Sequence, residues 1–289
     1  MTIATQDLII EQVRRFYAEE IRAVTNIDST DLVNAFASVP RENFLGPPPW
    51  HYCSGASLKR PTYRTTTEVR DLYHDVHVAL KADQLLNNGQ PGMAARLIAA
   101  MDLSLGMRVL HIGCGTGYYS AILATVIGST GTLVAVEVDA DLAVRAAANL
   151  AGYENVEVVN CDGSLLDLGK SDAILVNAGV THPHPLWLQS LTSDGVLVLP
   201  LCVGRSAEAN NVMVIRIVRH GDKFSADLLQ LMTLYLSPSQ RDPVIRGLLN
   251  ESLESRSLVR LKSIRIEEHS QSESCIVHTP GFCLSAEAV

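Results

Sequence analysis

Three short stretches of this chain carry residues whose types and spacing suit one small molecule. The first is His111-Ile112-Gly113-Cys114-Gly115-Thr116-Gly117, which closes the apolar run Arg108-Val109-Leu110-His111-Ile112. Glycine at the carboxyl end of a strand lets the backbone turn sharply and lets a ligand come to contact distance, and open α/β sheets bind ligands at that end. The spacing is GxGxG. A dinucleotide fingerprint needs its third glycine one position later, where a helix N-terminus meets a pyrophosphate. S-adenosylmethionine carries no phosphate, and a shorter loop suits its amino-acid part and ribose. The second stretch is Glu137-Val138, ending the next apolar run; a carboxylate there accepts from both ribose hydroxyls. The third is Asp162-Gly163, whose carboxylate accepts from an adenine amine while the glycine permits close approach. Singly these read as turn glycines, a solvated glutamate and an Asx turn. Jointly they point to an adenosyl cofactor held by His111, Gly113, Cys114, Gly115, Gly117, Tyr118, Glu137, Val138, Asp162 and Gly163.

To place such groups at neighbouring strand ends, the chain must alternate strands and helices, and it does. Residues 93–101 read as a helix, 108–112 as a buried strand, 117–127 as a helix, 132–138 as a strand and 140–151 as a helix. Strands at 156–159, 172–177 and 195–199 follow, with a helix at about 185–192. Short apolar strands between helices of about ten residues imply a parallel sheet covered on both faces. Residues 212–218 and 224–236, around His220-Gly221-Asp222, suggest an antiparallel edge hairpin. Ahead of the sheet, Ile9, Val13, Phe16, Tyr17, Ile21 and Val24 fall on one helical face packed onto the chain's own core. A second helix spans 30–38, capped by Ser29 or Thr30. Residues 46–66, rich in Pro and Gly, read as a loop pinned by Trp50 and Tyr52. After Asp242-Pro243 a helix to about 256 and one more strand, from Val259 and Leu261 to Ile264 and Ile266, are expected. The fold class is therefore α/β: a doubly wound, mostly parallel, seven-stranded Rossmann-like sheet with an antiparallel edge hairpin and terminal additions. The domain reading is 1–90 as an N-terminal helical cap, 91–236 as the cofactor domain and 237–289 as a C-terminal extension.

Composition narrows the partners. The chain has 289 residues, 47% apolar and 19% charged, enough for a full core without cross-links. Net charge is −8 and no Lys or Arg run is present, so no nucleic-acid partner is expected. Six widely spaced cysteines show no CxxC, and no His pair adds zinc-ligand spacing, so reduced thiols and no metal are expected. The first residues lack a basic start followed by an apolar core, and no apolar run approaches the roughly 20 residues that span a bilayer. A cytoplasmic chain with no membrane partner is expected; the sequence says nothing of its oligomeric state.

Several segments resemble protein L-isoaspartate O-methyltransferases: Val39-Pro40-Arg41-Glu42-Asn43-Phe44, Val109 to Tyr118, Gly152 to Val158, Asp162-Gly163-Ser164, Asp172 to Val176 and Gly195 to Pro200. The similarity covers about residues 30–225 in family order. It implies a class I methyltransferase fold and esterification of a carboxylate on altered aspartyl residues. Two positions depart from the family pattern. Before its first large helix the family has Thr-Ile-Ser-Gln-Pro, where this chain has Asn87-Asn88-Gly89-Gln90-Pro91, with glycine in place of the serine. His111 stands where the family usually has Glu at the start of the glycine loop. Beyond residue 240 the chain is longer than the family, with a Gly281-Phe282-Cys283-Leu284 ending shared by some bacterial relatives.

Methyl transfer from a sulfonium is an in-line displacement whose leaving group departs neutral, so positioning is the main demand. A carboxylate acceptor needs no base, whereas a phenol, alcohol or amine profits from one. Asn177 ends the fourth strand and is expected to face the methyl and the cofactor. His182 and His184 follow, either as loop residues flanking a helix start or with one of them as a base or substrate contact. Asn87 and Asn88, before Gly89, are either turn formers or, since they occupy the family's active-site segment, substrate contacts; with Gly89, and with His77 near the segment that would cover the site, they are the candidate substrate contacts. Asn88, Asn177 and His182 are the candidate catalytic residues. The acceptor is a carboxylate of a peptide or small metabolite; nitrogen or phenol acceptors, a nicotinamide oxidoreductase and a non-catalytic binding protein are the competing readings.

Overall fold

Apolar runs of five or six residues between glycine-rich turns have room to form strands and little else, and the computed structural model shows them doing so. It describes residues 3–55, 62–84, 86–165, 169–203, 211–233 and 241–289. In chain order the elements are α1 (Ile3–Thr25), α2 (Thr30–Ser38), β1 (Trp50–Ser54), β2 (Arg64–Thr66), β3 (Val76–Lys81), β4 (Leu86–Asn87) and α3 (Pro91–Ala99). Then come β5 (Arg108–Ile112), α4 (Tyr118–Ile127), β6 (Thr132–Glu137), α5 (Ala140–Asn149), β7 (Val156–Asn160), β8 (Ser171–Val176), α6 (Pro185–Ser190) and β9 (Leu191–Cys202). The chain closes with β10 (Asn211–His220), β11 (Lys223–Thr233), α7 (Pro243–Glu254), β12 (Ser263–Arg265), β13 (Cys275–Thr279) and β14 (Phe282–Ser285).

Two compact units result: Met1–Met107 with Cys114–Cys161, and Arg108–Gly113 with Asp162–Val289. In the first, β6 and β7 pair in parallel, and the small antiparallel sheet β2-β1-β3-β4 lies ahead of α3. Its helical part buries Tyr17, Ala18 and Ile21 of α1 with Leu32 and Phe36 of α2. In the second unit β5, β8 and β9 are parallel neighbours. The antiparallel strands β10, β11, β12, β14 and β13 then extend from β9 in that order. Val109, Leu110, Ile174, Leu175, Leu197 and Val198 are at most 2% exposed, which explains their unbroken apolar runs: strands covered on both faces do not alternate. The class is α/β, with parallel core strands and antiparallel edges.

The structure corrects several expectations. Residues 46–66 are not simply a loop, since β1 and β2 form there despite the flanking prolines. On α1 the buried face centres on Tyr17, Ala18 and Ile21, while Ile9, Phe16 and Val24 are exposed. Tyr17, Ala18 and Ile21 share the inward arc of the helix, and Phe16, about 100° back from Tyr17, falls outside it. The stretch around Val259 forms a helical turn, Ser257–Arg260, not a strand; the strand begins at Ser263. The hairpin β13–β14 was not expected at all. The expected hairpin at 212–236 forms, though its last three residues lie outside the described ones. Among the described residues, no helix is long and apolar enough to cross a membrane, and no disulfide joins any of the six cysteines.

Candidate cofactor and methyl-transfer site

In the first unit, β6 delivers Glu137 to the glycine loop. Glu137 Oε2 accepts the Gly115 N–H at 2.7 Å and Oε1 accepts the Asp139 N–H at 3.0 Å. The Cys114 N–H donates to Val136 O at 3.0 Å, pinning the loop to the strand. Glu137 is 7% exposed; burial raises its pKa, opposed by hydrogen bonds from Asp139, Gly115 and Val138. A carboxylate only accepts and has about four lone-pair directions, so capacity remains for a diol. A Cβ built on Gly115 meets only Leu80, at 4.0 Å. An acceptor beside open backbone is what a ribose with two O–H donors requires, and these residues fit an adenosyl cofactor.

Gly117, at φ +93°, caps α4, and a Cβ there would stand 2.8 Å from Leu150 Cδ1. Tyr118, expected at the cofactor, turns its side chain elsewhere. It is 1% exposed, packs against Phe36 and Phe44, and its hydroxyl lies 3.2 Å from that of Tyr17. That side chain builds the core. The Cys114 thiol is buried and burial pushes its pKa well up, whereas Val138 is half exposed.

In the same unit, the segment expected to meet the acceptor rests on a side chain whose role the sequence did not reveal. Arg41 is fully buried. It donates to Leu72 O at 2.7 Å, Val76 O at 2.8 Å, His74 O at 3.1 Å and Asn88 Oδ1 at 3.2 Å. Asn88 is thus engaged through its amide oxygen, and its own N–H donates to Val78 O at 2.8 Å. Asn87 Oδ1 accepts the Gly89 N–H at 2.8 Å and lies 2.9 Å from His77 Nδ1. Burial lowers the His77 pKa. Asp75 accepts from the Gly92 N–H at 2.7 Å and from Gln90 Nε2 at 2.6 Å, fixing the start of α3.

In the second unit the Asn177 N–H donates to Ile112 O at 2.8 Å, and a Cβ on Gly113 would sit 3.5 Å from the Asn177 carbonyl. Asp162 Oδ1 accepts both the N–H and the hydroxyl of Ser164, at 3.0 and 2.7 Å, an Asx turn that orients the carboxylate. The close approach at Gly163 is made by the protein itself: a Cβ there would meet Ile112 Cγ2 at 2.9 Å, and Trp187 Nε1 donates to its carbonyl at 2.8 Å. His111 is fully buried, and burial lowers its pKa to about 3. A neutral ring there cannot supply the negative charge of a glutamate. His184 Nδ1 accepts the Leu186 N–H at 3.3 Å and so caps α6. His182 Nδ1 lies 3.0 Å from the Thr181 hydroxyl, and burial lowers its pKa, with Asp242 opposing.

The family model for protein-L-isoaspartate(D-aspartate) O-methyltransferase matches residues 55–236. The chain belongs to this family. A protein-L-isoaspartate O-methyltransferase of Archaeoglobus fulgidus is 34% identical over 196 residues, 66% of this chain and 80% of its own. One from Rhodopseudomonas palustris is 39% identical over 203 residues, 68% of this chain and 80% of its own. A solved structure of a protein-L-isoaspartate O-methyltransferase superposes with a TM-score of 0.64 at 22% identity, covering 83% of this chain and 69% of the other. A Plasmodium falciparum structure described with the same enzyme name, in complex with S-adenosyl-L-homocysteine, gives 0.58 at 17% identity, covering 78% and 98%. These likenesses establish the fold.

Isoaspartate methyltransferases are enzymes that use S-adenosylmethionine, so the nicotinamide reading falls away. Against that family pattern, Gly89 is more than a lost serine. Its φ is +80°, and a Cβ would stand 3.2 Å from the Tyr119 ring, whose hydroxyl donates to Gly89 O at 3.2 Å. Backbone and neighbour have settled around a glycine. The four side chains His269, Cys275, His278 and Cys283 also converge in the second unit. Their spacing in the chain matches neither CxxC nor a close histidine pair, since Cys and His alternate along it.

Proposed function

We propose that this chain transfers the methyl group of S-adenosylmethionine to a carboxylate of a peptide. The observation that carries the acceptor is Arg41. Its guanidinium is buried beneath Asn88-Gly89 and its hydrogen-bond partners among the described residues are neutral oxygens; no carboxylate lies within ion-pair distance of it among those residues. A buried cation without a counter-ion makes its surroundings electropositive, which favours an anionic acceptor over that segment.

The cofactor supplies an electrophilic methyl on a sulfonium. Glu137, whose carboxylate the Gly115 N–H keeps aimed, would accept from the ribose hydroxyls, and Asp162, oriented by its Asx turn, would accept from the adenine amine. Gly113, Cys114 and Gly117 shape the loop, and Asn177 contributes its amide beside Gly113. On the acceptor side, Asn87, Asn88, Gly89 and His77 present donors and backbone without a strong base, matching a nucleophile already ionised at neutral pH. Holding reactants in line is worth several kcal/mol of barrier, of order 7 or more at best. A second reading, a phenol or amine acceptor, is favoured by His182, which burial keeps neutral and able to take a proton. The two separate in one assay. With methyl-labelled S-adenosylmethionine, an isoaspartyl peptide should gain label that mild base releases as methanol. Base-stable label, or label appearing only in a metabolite extract, supports the second reading; no label in either discards both.

A further inference from the structure

Outside the transfer chemistry, the C-terminal extension gathers His269, Cys275, His278 and Cys283 so that one ligand atom from each lies within 4.8 Å of the others. His278 on β13 and Cys283 on β14 are direct cross-strand partners. Cys275 stands three residues before His278, and strict alternation sends such residues to opposite faces. A register shift between Cys275 and Val277 absorbs one residue, as a bulge does, and brings Cys275 round to the other two. His269 comes from the preceding loop. Its Nδ1 lies 2.9 Å from Glu267 O; a carbonyl only accepts, so Nδ1 carries the proton and Nε2 keeps its lone pair. That Nε2 lies 3.7 Å from Cys275 Sγ.

We propose that these four side chains form a structural zinc site of Cys2His2 type. Two thiolates and two neutral imidazoles in a tetrahedron are a ligand set that zinc favours, and the thiolates balance its charge. With Zn–S of about 2.3 Å and Zn–N of about 2.0–2.1 Å, the tetrahedron's S···N edge is about 3.6 Å. The Cys275–His269 separation, 3.7 Å, already meets it. The surrounding groups are those a metal site needs. A backbone carbonyl fixes the His269 tautomer, as for most metal-bound histidines. The Ser272 N–H donates to Cys275 Sγ at 3.3 Å, and the Ser272 hydroxyl lies 3.5 Å from it. His278 Nδ1 is buried and meets no hydrogen-bond partner among the described residues.

The ion would clip the loop before β13 to the β13–β14 hairpin. That hairpin is also tied to α7, where the Ser252 hydroxyl donates to Ile276 O at 3.1 Å. Phe282, the neighbour of Cys283, has its ring centroid 6.2 Å from that of His182, so the clip fixes the side chain packed beside that histidine. None of this depends on which acceptor the enzyme uses.

The full chain, stripped of metal under reducing conditions, is titrated with Co2+, whose spectrum reports ligand geometry. The expected result is one equivalent taken up, with intense visible bands and a thiolate charge-transfer band of a tetrahedral S2N2 site, displaced by one equivalent of Zn2+. His269→Cys keeps four ligands and should retain stoichiometric uptake with a stronger charge-transfer band; Cys283→Ser should lose it. The wild-type titration decides even where a variant fails to fold. No uptake, the weak spectrum of six oxygen ligands, or two thiols of freshly purified protein found joined as a Cys275–Cys283 disulfide would each overturn the proposal.

Discussion

Glu137 links folding stability to pH. Burial raises its folded pKa above that of the unfolded chain, so between the two values the folded state binds more protons. Stability then falls as pH rises through that window and recovers as pH falls through the folded pKa. Glu137→Gln should flatten this part of the profile; urea unfolding of wild type and variant across the acid range checks it, and parallel profiles would contradict it. Arg41 makes a stronger claim on stability. Replacing it with Met removes the guanidinium donor from the carbonyl groups of Leu72 and Val76, while His74 O keeps the Val76 N–H, and buried acceptors left unmade cost about 1–3 kcal/mol each. A loss of about 3 kcal/mol or more is expected in denaturant unfolding, and less than about 1 kcal/mol would show water replacing the guanidinium. Glu137 and the glycines were legible in the sequence because strand ends and loop spacing place them. The role of Arg41 was not, although its motif was noted, because its partners are main-chain oxygens that no side-chain pattern marks.

Single contacts decide how elements begin. Gly117 caps α4 with a backbone conformation that side chains avoid and a Leu150 methyl where a Cβ would go. Gly117→Ala should therefore cost about 1–3 kcal/mol and weaken cofactor binding together with stability; a Tm unchanged from wild type would mean that the loop relaxes freely. Asp75 caps α3 from a distance through the Gly92 N–H. Asp75→Ala should remove about 1 kcal/mol and speed hydrogen exchange at the first turn of α3, and unchanged exchange there would sink the assignment. Elements with long apolar runs, such as β5, β8 and β9, were readable because burial on both faces leaves a continuous signature. The strands β1–β4, β13 and β14 were not: they are two to six residues long, flanked by turn formers and, apart from the buried four-residue β14, partly exposed, so neither alternation nor a long continuous run develops. The bulge at Cys275 breaks what alternation remained.

At the scale of the molecule, the α/β class followed from the order of elements, and the family match over residues 55–236 agrees with it. What the chain adds outside that match, α1 and α2 at one end and α7 to β14 at the other, was only half legible. Helices declare themselves by periodicity, but a metal-ligand cluster assembled from a loop and a bulged hairpin does not. The account stands on Glu137 and the glycine loop binding an adenosyl cofactor. Calorimetric titration with S-adenosyl-L-homocysteine tests that most directly, run on wild type and Glu137→Gln. One equivalent should bind the wild type, the variant should bind about 10–100-fold more weakly, as loss of hydrogen bonds to a charged acceptor implies, and NAD should not bind. Equal affinity in both proteins, or NAD binding in place of the homocysteine compound, would contradict it.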